Sequence, residues 1–280
     1  MSEPLPGPLP YNNQVAVPEH YRHAELWRDT SAFVRRHMAC AADLAYGDHP
    51  RERLDIFPAA VPGAPVLMFI HGGWFQFLDK SSLSFVAAPY VQAGITVVAI
   101  GYPLAPEAGL PAIIESAGRA LLWVHGHIGD HGGDPERIFV AGHSAGGHLA
   151  LCLGLADWGA RAELPGLVKG CFPISGLYDM RPVLDTIYNA KLGLDSETAA
   201  ACSPLLQAEA APARLIASIG GDEIAGFHWQ HRALLAYCTA RGIAVEDHIA
   251  PGRNHYSVVE EFCTASGALF GKVRAAILAG

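Results

Sequence analysis

Short apolar runs rich in Val and Ile alternate with longer helical patterns through most of the chain, and no other feature limits the fold as strongly. The runs at 51–58, 65–70, 95–100, 137–142, 168–175, 214–220 and 243–250 read as strands. Residues 19–37, 112–125, 145–156, 226–241 and 256–278 carry helical periodicity. Strands that alternate with helices form parallel βαβ units. Most of these strands are apolar on both faces, as a sheet covered by helices on each side requires. The expected fold is α/β: a mostly parallel, twisted sheet between two helical layers, in one domain over residues 1–280. Residues 1–45 read as an N-terminal tail and helix. Residues 176–212 interrupt the alternation and read as a small cap or lid over one end of the sheet.

Composition narrows the functions open to such a fold. Apolar residues make up 51% of the chain and charged residues 16%, which suits a large buried core and not a disordered chain. The net charge of -8, with no Lys/Arg cluster, argues against a nucleic-acid partner. No apolar run approaches the roughly 20 residues of a membrane-spanning helix. The proline-rich start, MSEPLPGPLPYNN, lacks the basic region and apolar core of a secretion signal. A cytoplasmic location without a membrane partner is expected; a homodimer is left open. The 6 cysteines show no C-x-x-C spacing and read as reduced thiols. Neither His125, His127 and His131 nor His228 and His231 have firm metal spacing, so no metal and no cofactor is expected.

The stretch VAGHSAGGHLAL, residues 140–151, places Ser144 between Gly142 and Gly146 at a strand-to-helix junction. A serine hydroxyl is a weak nucleophile unless a base takes its proton, a third group orients that base, and N–H donors receive the oxyanion. Each part has a candidate. His255, in APGRNHYSV after the last strand, is the histidine whose position lets it serve as the base. Asp222 and Glu223 follow the strand 214–220, and either carboxylate could orient the imidazole; a placement three residues beyond Gly220 favours Glu223. The loop FIHGGWF, residues 69–75, directly after a strand, offers the amides of Gly73 and Trp74, which with that of Ala145 would form an oxyanion hole. His71 reads as a brace for this loop. Trp74, Phe75, Phe77, Tyr178 and Phe227 fall near the expected site and favour an aryl or otherwise apolar substrate.

The chain order, Ser144 then acid then His255, is that of alpha/beta hydrolases and differs from the orders in chymotrypsin and subtilisin. Together with YNNQVAVPEH, YGDHPRERLDIFP, HGGWFQFLDKSSLSFVA, GHSAGGHLA, SGLYDMRPV, GGDEIAGFHWQ and PGRNHYSV, it makes the chain resemble alpha/beta hydrolases of the esterase type. More narrowly, the chain resembles the bacterial arylformamidase, or kynurenine formamidase-like, branch. The resemblance implies Ser144 as nucleophile, His255 as base and Glu223, four residues before Phe227, as the acid. One departure is the oxyanion loop, H-G-G-W here where esterase relatives carry a third glycine, so that the amide of Trp74 must serve.

The expected function is that of a serine hydrolase cleaving a small carboxylic ester or an aryl amide or formamide through an acyl-enzyme on Ser144. Two alternatives are a non-catalytic small-ligand receptor on the same fold, and a lipase acting at membrane surfaces. A receptor would usually lose the serine or the histidine, and this chain keeps both. A lipase needs an exposed apolar lid, and residues 176–212 carry charges at intervals.

Overall fold

In the computed structural model, which describes Gly7 and residues 9–280, eight strands form one sheet in the order β1-β2-β4-β3-β5-β6-β7-β8. The strands are β1 (Ala41–Ala45), β2 (Arg53–Phe57), β3 (Ala64–Ile70), β4 (Thr96–Ile100), β5 (Gly133–His143), β6 (Val168–Ile174), β7 (Ile216–Gly220) and β8 (Glu246–Ala250). β1 pairs antiparallel with β2, and β2 antiparallel with β4; every later pairing is parallel. Every residue of β3 and β4 is buried, as their unbroken apolar sequences require. The proline-rich start lies, apart from Gly7, outside the described residues up to Pro8.

The helices are α1 (Asn13–Ala16), α2 (His20–His37), α3 (Ala87–Gln92), α4 (Leu110–His127), α5 (Ala145–Gly154), α6 (Trp158–Ala162), α7 (Asn189–Leu192), α8 (Ser196–Ala201), α9 (Pro204–Gln207), α10 (Ala225–Arg241), α11 (Ser257–Phe262) and α12 (Ala268–Leu278). Two hydrophobic cores lie on opposite sheet faces. One gathers Val66, Met68, Val98, Leu121 and Leu149, the other Leu67, Phe69, Val97, Phe262 and Val273. Alternate residues of β3 and β4 supply the two sets, which is the period-2 geometry of a strand.

Three sequence expectations need correction. Residues 41–45, read as part of the tail and helix, form edge strand β1; its mostly exposed side chains give no apolar alternation. Residues 80–92, given no element, form a 3-10 turn followed by α3, the crossover between β3 and β4. The last helix, read as continuous over 256–278, breaks between Cys263 and Gly267, where the Gly267 N–H bonds Thr264 O at 2.7 Å and restarts the chain as α12. The segment 176–212 consists of short helical turns whose apolar side chains, including Leu177, Met180, Val183, Leu192 and Leu194, join the first core. All six cysteines are free thiols.

Edge strand β1 and its neighbour β2 are tied in by a cluster of charges. The Lys80 ammonium donates to Asp43 at 2.6 Å and to Asp55 at 2.8 Å, and the Arg35 guanidinium of α2 pairs with Asp55 from the other side. Burial alone would lower the Lys80 pKa, but the two carboxylates leave it raised, so the cation persists.

Candidate active site

Parallel register delivers four loops to one end of the sheet. Ile70 pairs with Gly142, so the chain leaving β3 and the turn leaving β5 emerge side by side. Gly220 pairs with Ala250, which brings out the loops after β7 and β8 together. In sheets of this kind ligands bind beyond the carboxyl ends of the strands.

Ser144 sits on the sharp turn between β5 and α5 with φ 58° and ψ -119°, a backbone conformation that side chains other than glycine rarely adopt. Its N–H is held by Ile174 O at 2.9 Å. The turn is tight enough that a Cβ built at Gly146 would lie 2.0 Å from Ile70 O and 2.6 Å from His71 O. Helix propensity favours alanine over glycine by about 1 kcal/mol, but forcing a methyl into packed backbone costs ~1–3 kcal/mol or more. Gly146→Ala is therefore expected to destabilise the fold and displace the serine. A differential scanning experiment should show a lower Tm; an unchanged or raised Tm would contradict the packing described.

The three residues with acid–base capacity meet at the base of this turn. His255 Nε2 lies 3.0 Å from Ser144 Oγ, and His255 Nδ1 lies 2.7 Å from Glu223 Oε2. Glu223 is buried, and its other oxygen, Oε1, accepts hydrogen bonds from the Gly220 N–H at 3.0 Å and from the Ser175 hydroxyl. Of the two adjacent carboxylates the structure brings only Glu223 to His255. Asp222 is exposed, and its backbone N–H bonds Arg253 O at 2.9 Å.

The loop after β3 runs through positive φ at Gly73 (107°), Trp74 (55°) and Phe75 (58°). Such a run turns successive N–H groups to one side, which suits an anion. Among the described residues no backbone carbonyl accepts from the N–H groups of Gly73, Trp74 or Ala145. The loop is braced from below. His71 donates from Nδ1 to Gly72 O at 2.7 Å and stacks on Tyr102 at 4.3 Å, and the Tyr102 hydroxyl donates to His71 O at 2.8 Å. Burial lowers the His71 pKa to about 4, so the ring stays neutral.

Ser144 and His255 open into a cleft of about 1250 Å³ lined by aromatic residues, among them Trp74, Phe77, Tyr188 and Tyr256. Trp74 stacks on Tyr188 at 3.8 Å with 8° between the rings, and Gln76 Nε2 donates to Tyr188 O at 2.9 Å. Segment 176–212 is thus fastened to the loop that carries Gly73. Of the five aromatics named from sequence, Trp74 and Phe77 line the cleft, while Phe75, Tyr178 and Phe227 do not. Phe75 is fully buried with its edge against His148, 5.2 Å away. Tyr178 is equally buried, its hydroxyl accepting from the Gly176 N–H at 3.0 Å. Phe227 supports the His255 ring from behind at 4.3 Å.

A family model described as the alpha/beta hydrolase fold matches residues 67–252. The chain belongs to the alpha/beta hydrolases. The hydrolase is 29% identical over 229 residues to the kynurenine formamidase of Danio rerio, an alignment covering 78% of this chain and 75% of that one. It is 36% identical over 158 residues to Esterase LipQ of Mycobacterium tuberculosis, covering 52% of this chain and 37% of the relative. Its backbone superposes with a TM-score of 0.84 and 26% identity on the crystal structure of a candidate thioesterase from Silicibacter sp. tm1040, over 96% of this chain and 97% of that one.

Several residues at the site of this hydrolase carried no signal in the sequence. His143, beside the serine, donates from Nε2 to His255 O at 2.8 Å, and burial followed by the nearby His255 holds its pKa well below the usual imidazole value. It therefore holds the His255 backbone as a neutral ring. Trp27 and His20 of α2 line the cleft, with Trp27 Nε1 bonded to Glu260 at 3.0 Å and His20 stacked near Tyr256. The segment before α1 also enters the site: Tyr11 is buried edge-on against Trp74 and Phe227, at 6.2 and 5.7 Å. Among the described residues no helix is long and apolar enough to cross a membrane. Nor does any group of three or more His, Cys, Asp and Glu side chains among them have the arrangement of a metal site.

Proposed function

We propose that this alpha/beta hydrolase is a serine hydrolase of small aryl esters and aryl formamides. The observation that carries the reading is the relay from Ser144 Oγ to His255 Nε2 and from His255 Nδ1 to Glu223, at 3.0 and 2.7 Å, on the floor of an aromatic cleft. In acylation the hydroxyl attacks the substrate carbonyl and its proton passes to His255 Nε2. The buried Glu223 carboxylate stabilises the imidazolium that forms. The amides of Gly73, Trp74 and Ala145 receive the oxyanion, and preorganised donors of this kind contribute most where water is excluded. The tetrahedral intermediate collapses, His255 returns the proton to the departing phenol or aniline, and the acyl group stays on Ser144. Water, deprotonated by His255, then releases the acid by the same route.

The stacked Trp74 and Tyr188, with Phe77 and Tyr256, favour a flat leaving group. The similarity to a kynurenine formamidase over 78% of the chain supports the formamide half of the proposal. The test is a kinetic panel of N-formyl-kynurenine, formanilide, phenyl acetate and short and long p-nitrophenyl esters, with fluorophosphonate labelling read by peptide mass. Labelling is expected on the peptide containing Ser144, with short acyl chains preferred and formamide turnover comparable with that of esters. A kcat/KM for the formamides far below that for simple esters would remove the formamidase reading and leave an esterase.

A further inference from the structure

We propose that Asn13 is a specificity-determining residue whose carboxamide N–H donates to a carbonyl or carboxylate oxygen carried by the substrate's leaving group. The inference rests on the assignment of the cleft beside Ser144 as the substrate site. Two asparagines stand in sequence at the start of α1, and they do different things. Asn12 is the helix cap, its Oδ1 accepting from the N–H groups of Gln14 and Val15 at 3.1 and 3.3 Å. Asn13 has no such duty. It is 4% exposed, it lines the same cleft as Ser144 and His255, and its side-chain amide has no hydrogen-bonding partner among the described residues. A polar group set in a wall rich in aromatic residues and facing the cleft fixes the orientation of what binds there, and the cleft is the space from which its partner can come.

The surroundings fix Asn13 in place before any substrate arrives. Two residues earlier, the Tyr11 hydroxyl accepts from Gln230 Nε2 at 3.1 Å, and Gln230 spends its remaining capacity on the backbone of Tyr178 and Asp179. A Cβ at Gly226 would lie 2.5 Å from Pro10 O and 2.8 Å from Tyr11 Cε1, so the first turn of α10 is cut away to seat this segment. On the other side the Asn13 carbonyl accepts from the Val17 N–H at 2.9 Å. A backbone held this way presents the carboxamide to the cleft, and only the side-chain torsions remain to be ordered at binding. The aromatic walls recognise the ring of the leaving group, and Asn13 reads a polar substituent on it. Hydrogen-bonding positions of this kind discriminate more strongly than apolar contacts, because an analogue without the group leaves the protein's polar atom unpaired.

The test compares phenyl acetate with 2- and 4-acetylphenyl acetate, esters that differ by one ketone. For wild type and Asn13→Leu, the ratio of kcat/KM for the better acetylphenyl ester to that for phenyl acetate is measured. The variant is expected to lower this ratio at least ~10-fold, mostly through KM. Asn13→Asp, which keeps size but loses the donor, should lower it likewise and serves if the leucine variant does not fold. A ratio unchanged within about twofold in a folded variant, or equal losses on all three esters, would overturn the proposal. Calorimetric binding of 2- and 4-hydroxyacetophenone against phenol, in Ser144→Ala with and without Asn13→Leu, separates this inference from the proposed chemistry. Loss of the preference for the ketone with Asn13 supports the inference even if Ser144 proves not to be the nucleophile, and a preference untouched by the substitution removes it.

Discussion

Ser144→Ala is expected to reduce kcat by at least ~10³-fold on every ester and formamide that the hydrolase turns over, with little change in Tm. The substitution removes one atom, Oγ, which faces His255 Nε2 at 3.0 Å. It keeps the Cβ, so the packing of the turn against Gly72, whose own built Cβ would stand 3.0 Å from Ser144 Cβ, is unaltered. The strained φ of 58° is retained as well, because it is imposed by the strand and helix on either side. The loss falls on kcat more than on KM, since bond formation to the carbonyl is confined to the transition state. Residual turnover should come only from the cleft and the backbone amides acting on water. Single-turnover kinetics on purified variant, with circular dichroism to establish folding, provide the check. A folded variant that kept more than about 1% of wild-type turnover would remove Ser144 from the role given to it.

The fold was legible where hydrophobic period and chain order carried it. β3, β4 after Thr96 and the 138–142 part of β5 are apolar because both faces are buried, and the elements around them follow from that. Ser144 was legible because its turn needs small residues at fixed places around it, and Gly146 has no room for a methyl. What escaped were elements without a periodic signal. β1 is an edge strand with a shift in pairing between Ala41 and Leu44 and a positive φ at Asp43, so its side chains do not alternate between core and water. The crossover at residues 80–92 is a 3-10 turn kinked at Leu83 before a short helix, and neither piece is long enough to show a 3.6-residue repeat.

The site was half legible for a different reason. Residue type and order point to Ser144 and His255, but contacts across more than 200 residues leave no trace in one sequence. The Tyr11 hydroxyl meets Gln230 at 3.1 Å, and His23 meets Glu260 at 2.6 Å. These contacts turn the N-terminal segment and α2 into a wall of the cleft. The aromatic residues show the same limit. Trp74 and Phe75 are neighbours on a turn, and side-chain direction, not composition, sends Trp74 against Tyr188 and Phe75 into the core.

The sharpest discrimination available at the site is between the two adjacent carboxylates. Glu223→Gln is expected to lower kcat by ~10³–10⁴-fold, the scale on which an orienting acid acts when it is converted to its amide, whereas Asp222→Asn should stay within about twofold of wild type. The reason lies in the donors around Glu223. Oε1 accepts from the Gly220 N–H at 3.0 Å and from the Ser175 hydroxyl, so in the glutamine variant the carbonyl oxygen must remain there. The amide nitrogen then takes the place of Oε2, 2.7 Å from His255 Nδ1. Two N–H donors cannot face each other at that distance, so the imidazole gives up the proton at Nδ1 and carries it on Nε2. That tautomer points a proton at Ser144 Oγ and cannot accept one. Asp222 is exposed and meets none of these groups. Kinetics on the two purified variants decide the assignment, and a large loss in Asp222→Asn with activity retained in Glu223→Gln would reverse it.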